Sequence, residues 1–215
     1  MNWFRVHRHW RDQQQQAGME VPAPSGAAAS MGRGAIGGMV LSVAGFVPWA
    51  VTGRWLYRAV GEAGLYGVCA LVFIGLSGPL LHRLLVGPHS LSRFYRLFAV
   101  SFSVYAAGWI AGWMALGGHA GSVLGLLAGA LAMGWVLIKA FDLPGAFLRV
   151  VGALFGPTAA GYFLGGVVEG WLMGLADGSR AIAMGAMLSW GVFFGLGFGA
   201  GLGLALHWCQ RREEP

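Results

Sequence analysis

Six apolar runs, at roughly 34–54, 64–86, 94–116, 121–141, 146–174 and 181–207, constrain this chain more than any motif in it. Each reaches the ~20 residues that a helix needs to cross a bilayer core. Inside hydrocarbon, every backbone N–H and C=O must be satisfied by the segment itself or by a closed barrel. Runs this long far exceed an ordinary strand, so they predict spanning helices. The fold expected is an all-α membrane protein with six transmembrane helices. The composition agrees: 10% of residues are charged, against about 25% in a soluble domain.

The remaining charge fixes an expected orientation. With the N-terminus inside, 11 of the 14 Lys and Arg residues fall on the inner side, and only Arg54, Arg58 and Arg180 fall outside. This positive-inside bias predicts that both termini are cytoplasmic, in the inner membrane if the source is bacterial. Residues 1–33 read as a cytoplasmic basic and aromatic tail with a linker, 34–208 as the six-helix domain, and 209–215 as a short cytoplasmic tail. In the first of these, Trp3–Arg11 mixes Arg and His with aromatics, as an interfacial segment on an anionic bilayer does.

The sixth run carries the densest pattern. Gly191, Gly195, Gly199 and Gly203 recur at steps of four, while Gly197 and Gly201 fall on the opposite face. Two bare faces can each accept a close neighbour, so the sixth span is expected to be the packing centre and the least lipid-exposed of the six. On the same reading, Gly199→Leu should harm folding more than Gly38→Leu. Pro48 and Pro157 lie inside runs and predict kinks.

An internal repeat is also legible. At an offset of 57, Leu97, Phe98, Ser101, Tyr105 and Gly108 fall on Leu154, Phe155, Thr158, Tyr162 and Gly165, and Gly61 and Gly64 fall on Gly118 and Gly121. This pattern suggests three helical hairpins in parallel repeat about an axis along the membrane normal. Trp55, Trp113 and Trp171 stand near the outer ends of the odd-numbered runs, as an aromatic belt would place them.

Chemistry-bearing residues inside the runs are few. Thr158, Tyr162 and Glu169 share a helix face in the fifth run, and Ser101 and Tyr105 take matching places in the third. They form a candidate polar face, open to two readings: a polar path between helices, or hydroxyls that bond across an ordinary packing interface. Glu169 is the acid set furthest inside a run. A carboxylate there must be paired, wet or protonated, which makes it a site candidate, with an ion pair to Arg54 or Arg58 as the structural alternative. Lys139, His82 and His207 stand at inner helix ends, where cations complement the helix dipole and snorkel to headgroups.

No nucleophile elbow, P-loop, zinc-protease motif or haem-ligating pair is present, so neither an enzyme nor a cofactor or metal is expected. The two cysteines form no framework. The expected partners are the lipid bilayer and either a second copy or a membrane complex, not nucleic acid. The leading function is a small-solute or ion permease or channel-like protein. Its alternative is a structural or assembly subunit of a membrane complex, without transport. A wet cavity between the third and fifth spans would favour the first, and a dry glycine-sealed interior the second.

Overall fold

A computed structural model describes residues 25–87, 89–177 and 179–211, less the side chains of Arg54, Glu62, Ala63 and Tyr66. The basic, aromatic stretch at 3–11 lies outside the described residues. The protein is all-helical, with no strand among the described residues. Six helices are long and apolar enough to span a membrane: Ala27–Gly53, Gly67–Leu84, Ser90–Leu116, Gly118–Phe141, Pro144–Gly174 and Arg180–Gln210. They are called here the first to sixth spans. The first begins seven residues before the apolar run does, because Ala27–Ala29 are good helix formers and Ser30 is buried against Gly203 of the sixth span.

Glycine sets two of the turns between spans. The helix that carries the first two spans keeps helical dihedrals except at Gly61, with φ 71 and ψ −178. Gly117, between the third and fourth spans, has nearly the same conformation, φ 63 and ψ 178. Both have positive φ, where a Cβ would be strained. The last connection differs. Residues 175–179 carry it, with Asp177 at φ 40.

The prolines do not break the helices. Pro48, Pro79 and Pro157 all sit within continuous helix. A helical proline has no N–H, so it frees the carbonyl four residues earlier. For Pro79 that carbonyl belongs to Gly75, and the Tyr95 hydroxyl of the third span donates to it. For Pro157 it belongs to Ala153, and this oxygen faces Gly201, where an added Cβ would lie 2.6 Å away. For Pro79 a neighbouring helix thus takes up the carbonyl that the proline leaves unbonded.

Two sets of helices meet backbone to backbone. On one face of the sixth span, a Cβ at Gly199 would run into the carbonyl oxygen of Gly34, and one at Gly203 into that of Ser30. Gly38 faces Gly195 and Gly199, and its own Cβ would sit 2.6 Å from the Gly199 Cα. On the opposite face, Gly197 meets Pro157 and Gly161 of the fifth span. The third and fourth spans make a separate close pair, in which a Cβ at Gly112 would lie 2.6 Å from the Gly125 Cα. Gly38 is therefore no tolerant reference for Gly199, because the two glycines share one crossing.

The fourth span, not the sixth, is the most enclosed. Its apolar window is 61% buried, against 22% for that of the sixth. The reason is that close packing on the sixth span is confined to its C-terminal two-thirds. From Arg180 to Trp190 only Ala186 is buried, while 191–210 holds the remaining buried residues. The fourth span is covered along its whole length by the third on one side and the fifth on another.

Between the first–sixth–fifth layer and the third–fourth pair, aromatic rings fill the wider gap. Phe94, Phe98, Phe102 and Tyr105 form a stacked column on the third span. Trp190, Phe194 and Phe198 form another on the sixth. Phe198 is fully buried and lies 6.0 Å from Phe73 and Phe102 and 5.5 Å from Tyr105, ring centre to ring centre. Such rings replace the hydrophobic drive that lipid removes with dense van der Waals contact.

At the C-terminal end of the sixth span, buried Gln210 uses its whole amide. Its nitrogen donates to the carbonyls of Leu84 at 2.8 Å and Leu206 at 2.9 Å, and its oxygen accepts from the Val86 N–H at 2.7 Å. This amide fastens the connection after the second span to the end of the sixth.

Candidate functional site

The polar residues of the third and fifth spans divide into two kinds. Ser101 and Thr158 are buried, and each hydroxyl donates back to its own helix, to the carbonyls of Phe98 and Leu154. Back-bonded hydroxyls of this kind are already satisfied within their helix.

Tyr105 and Tyr162 behave differently. The Tyr162 hydroxyl lies 3.1 Å from Ser122 Oγ of the fourth span, and Ser122 donates to the Gly118 carbonyl at 2.9 Å. A hydroxyl has one proton, so Tyr162 donates and Ser122 accepts. Tyr105 sits one turn beyond Ser101, 4% exposed, with its ring seated on Gly129. A Cβ at Gly129 would lie 2.9 Å from that ring. The Tyr105 hydroxyl is buried and has no hydrogen-bond partner among the described residues.

Ser122 is the residue that sequence reasoning missed here. Its signal was its place beside Gly121 and Gly125, on the small-residue face of the fourth span. Also missed was the partner of the sixth-span glycine face. Ser30, Gly34, Gly38 and Ser42 recur at steps of four and form that partner.

Glu169 is half-buried near the C-terminal end of the fifth span. It makes no ion pair with Arg58, which is exposed. The Arg54 side chain lies outside the described part, so the Arg54–Glu169 pair is not addressed by these contacts. Arg180, at the start of the sixth span, reaches the Val51 carbonyl of the first at 3.2 Å. Trp55, Trp113 and Trp171 all project from the protein surface.

Lys139, His82 and His207, at the C-terminal ends of their spans, do not act alike. Lys139 is exposed, and His82 Nδ1 lies 2.9 Å from the Gly78 carbonyl of its own helix. His207 does not snorkel. It is 4% exposed, with neither ring nitrogen hydrogen-bonded, because the sixth span is enclosed on all sides at this level. Among the described residues, no three His, Cys, Asp or Glu side chains gather as metal ligands would, and Cys69 and Cys209 are both free.

Compared with known proteins, the chain matches no family model, no curated protein and no solved structure. Function therefore rests on the residues themselves.

Proposed function

We propose that this integral membrane protein is a structural or assembly subunit that conducts nothing on its own. The observation that carries this reading is the filled interior. Glycine brings backbones into direct contact in two sets of helices, and the Phe198-centred rings occupy the gap between them. Ser101 and Thr158, the inner part of any polar path, turn their protons back to their own helices. The purified protein in liposomes should therefore pass glycerol, urea and monovalent ions no faster than empty vesicles. Flux above that background, abolished by Glu169→Gln with folding intact, would replace this reading with a permease. The pairing of Tyr162 with Ser122 beside Tyr105 is what favours that second reading.

The proposal includes three hairpins in parallel repeat, with both termini cytoplasmic. Its support is the shared backbone conformation at Gly61 and Gly117, 56 residues apart, and the eleven-to-three charge bias. Reporter fusions at Gly118 are expected outside and fusions after Pro215 inside. An inside-facing Gly118 would overturn the orientation.

Glu169 has a structural place in this scheme, paired with Arg54 at the outer rim. Each single neutral variant, Arg54→Gln or Glu169→Gln, is expected to lower the melting temperature by about 2–4 °C, the shift that roughly 1 kcal/mol produces in a chain of this size. The double variant should lose less than the sum. Additive losses would dissolve the pair.

A further inference from the structure

We propose that an anionic phospholipid binds where the fifth span begins and the sixth ends, its phosphate held by Arg149 and Arg211. This surface site goes beyond the assembly reading, which names no ligand and stands or falls without it.

Two helix ends supply the residues. Arg149 stands in the first turn of the helix Phe147–Gly174, and its guanidinium carbon lies 5.9 Å from the centre of the Trp208 ring. Arg211 stays on the last turn of the sixth span, three residues past Trp208, because its N–H donates to the His207 carbonyl at 3.1 Å. Both arginines are exposed, and Trp208 is half-buried between solvent and core. Arg149 gains nothing from its own helix. A cation in a first turn opposes the helix dipole, and that turn holds no acid. The same position favours an anion, which the helix start and the guanidinium both attract. Contact with an indole steadies a guanidinium, while its N–H edge can still bond two oxygens of a phosphate. Depth selects the source of that phosphate. Trp208 lies in the last turn of one span and Arg149 in the first turn of another, the level at which headgroups meet helix ends. Gly152 and Gly156 follow Arg149 on one face of its helix, and an added Cβ at either meets nothing within 4 Å. That face is open to acyl chains. A zwitterionic headgroup would bring its own cation against two arginines, so a lipid of net negative charge fits better.

The test titrates the full chain, in a neutral detergent, with phosphatidylglycerol and separately with phosphatidylcholine, following the melting temperature by intrinsic fluorescence. Phosphatidylglycerol is expected to raise it by about 2–4 °C more than phosphatidylcholine does. Arg149→Gln and Arg211→Gln should each remove most of that difference. Each variant is read against itself without lipid, so a change in intrinsic stability does not enter. Arg149→Lys keeps the charge and loses the planar fork, and it should retain only part of the gain. Arg83→Gln and Lys139→Gln, at exposed cations near the ends of the second and fourth spans, should leave the gain whole. Equal gains from the two lipids would overturn the site, as would an Arg149→Gln or Arg211→Gln protein that keeps the gain. An equal loss in Arg83→Gln would overturn it too, by showing a diffuse surface charge. Glycerol phosphate carries the phosphate without the chains, and a matching gain from it would rule out the lipid.

Discussion

Gly199→Leu is expected to leave no folded protein to purify, whereas Gly156→Leu should leave yield and melting temperature near those of the parent. Both changes put the same bulk on a membrane helix. They differ in what the new atoms meet. At Gly199 the first carbon already collides with the Gly34 carbonyl and lies 2.9 Å from the Gly38 Cα. These are backbone atoms of the first span, so no side chain can rotate out of the way. Overpacking a core that can adjust costs about 1–3 kcal/mol. Here the first and sixth spans must separate, and the contacts on both sides of Gly199 are lost with them. At Gly156 a Cβ meets nothing within 4 Å, and the residue faces outward. Gly38→Leu belongs with Gly199→Leu, since it strikes the same crossing from the other side. Fluorescence-detected size exclusion of tagged variants would read all three. A monodisperse Gly199→Leu protein with the parent's melting temperature would show that the two helices do not meet as described.

How much of this was legible in the sequence depends on whether a feature is local or shared. The six spans were legible, because length and apolarity are properties of each run alone. The glycine faces of the sixth span were visible as periodicity, but their partners were not, because a step-of-four pattern shows a bare face and not its neighbour. Ser30 and Gly34 lay before or at the edge of the apolar run, so the first of them was assigned to a linker. The prolines illustrate the same limit. Each announces a missing N–H, while the groups that answer it, Tyr95 and the close approach of Gly201, come from other helices. The candidate polar face is a grouping of residue types on a wheel. Nothing in the wheel distinguished Ser101, which bonds its own helix, from Tyr105, which does not. The aromatic seam was present as Phe94, Phe98 and Phe102 at steps of four, and it went unread because apolar residues in an apolar run carry little contrast.

Phe198→Ala is expected to fold, to melt well below the parent, and to remain impermeable. Phe198 is the ring on which the second, third and sixth spans converge, touching Phe73, Phe98, Phe102 and Tyr105. In water, removing such a ring would cost a transfer term and a cavity term. In a bilayer the transfer term largely vanishes, because lipid is as apolar as the interior. The cavity term remains. About 100 Å³ of lost ring, at roughly 24 cal/mol per Å³, gives about 2–3 kcal/mol. For a chain of this size that corresponds to a fall of about 5–10 °C in melting temperature. The hole is lined by rings and stays dry, because water needs polar partners to enter it. Above and below the gap, the closure at Gly195, Gly199 and Gly201 is made by backbone and does not depend on the ring. Flux assays on the same liposomes then separate the two functions cleanly. An assembly subunit stays closed after the ring is removed. A permease that uses Phe198 as its gate would instead leak constitutively, and that leak would show the seam to be a plug rather than a core.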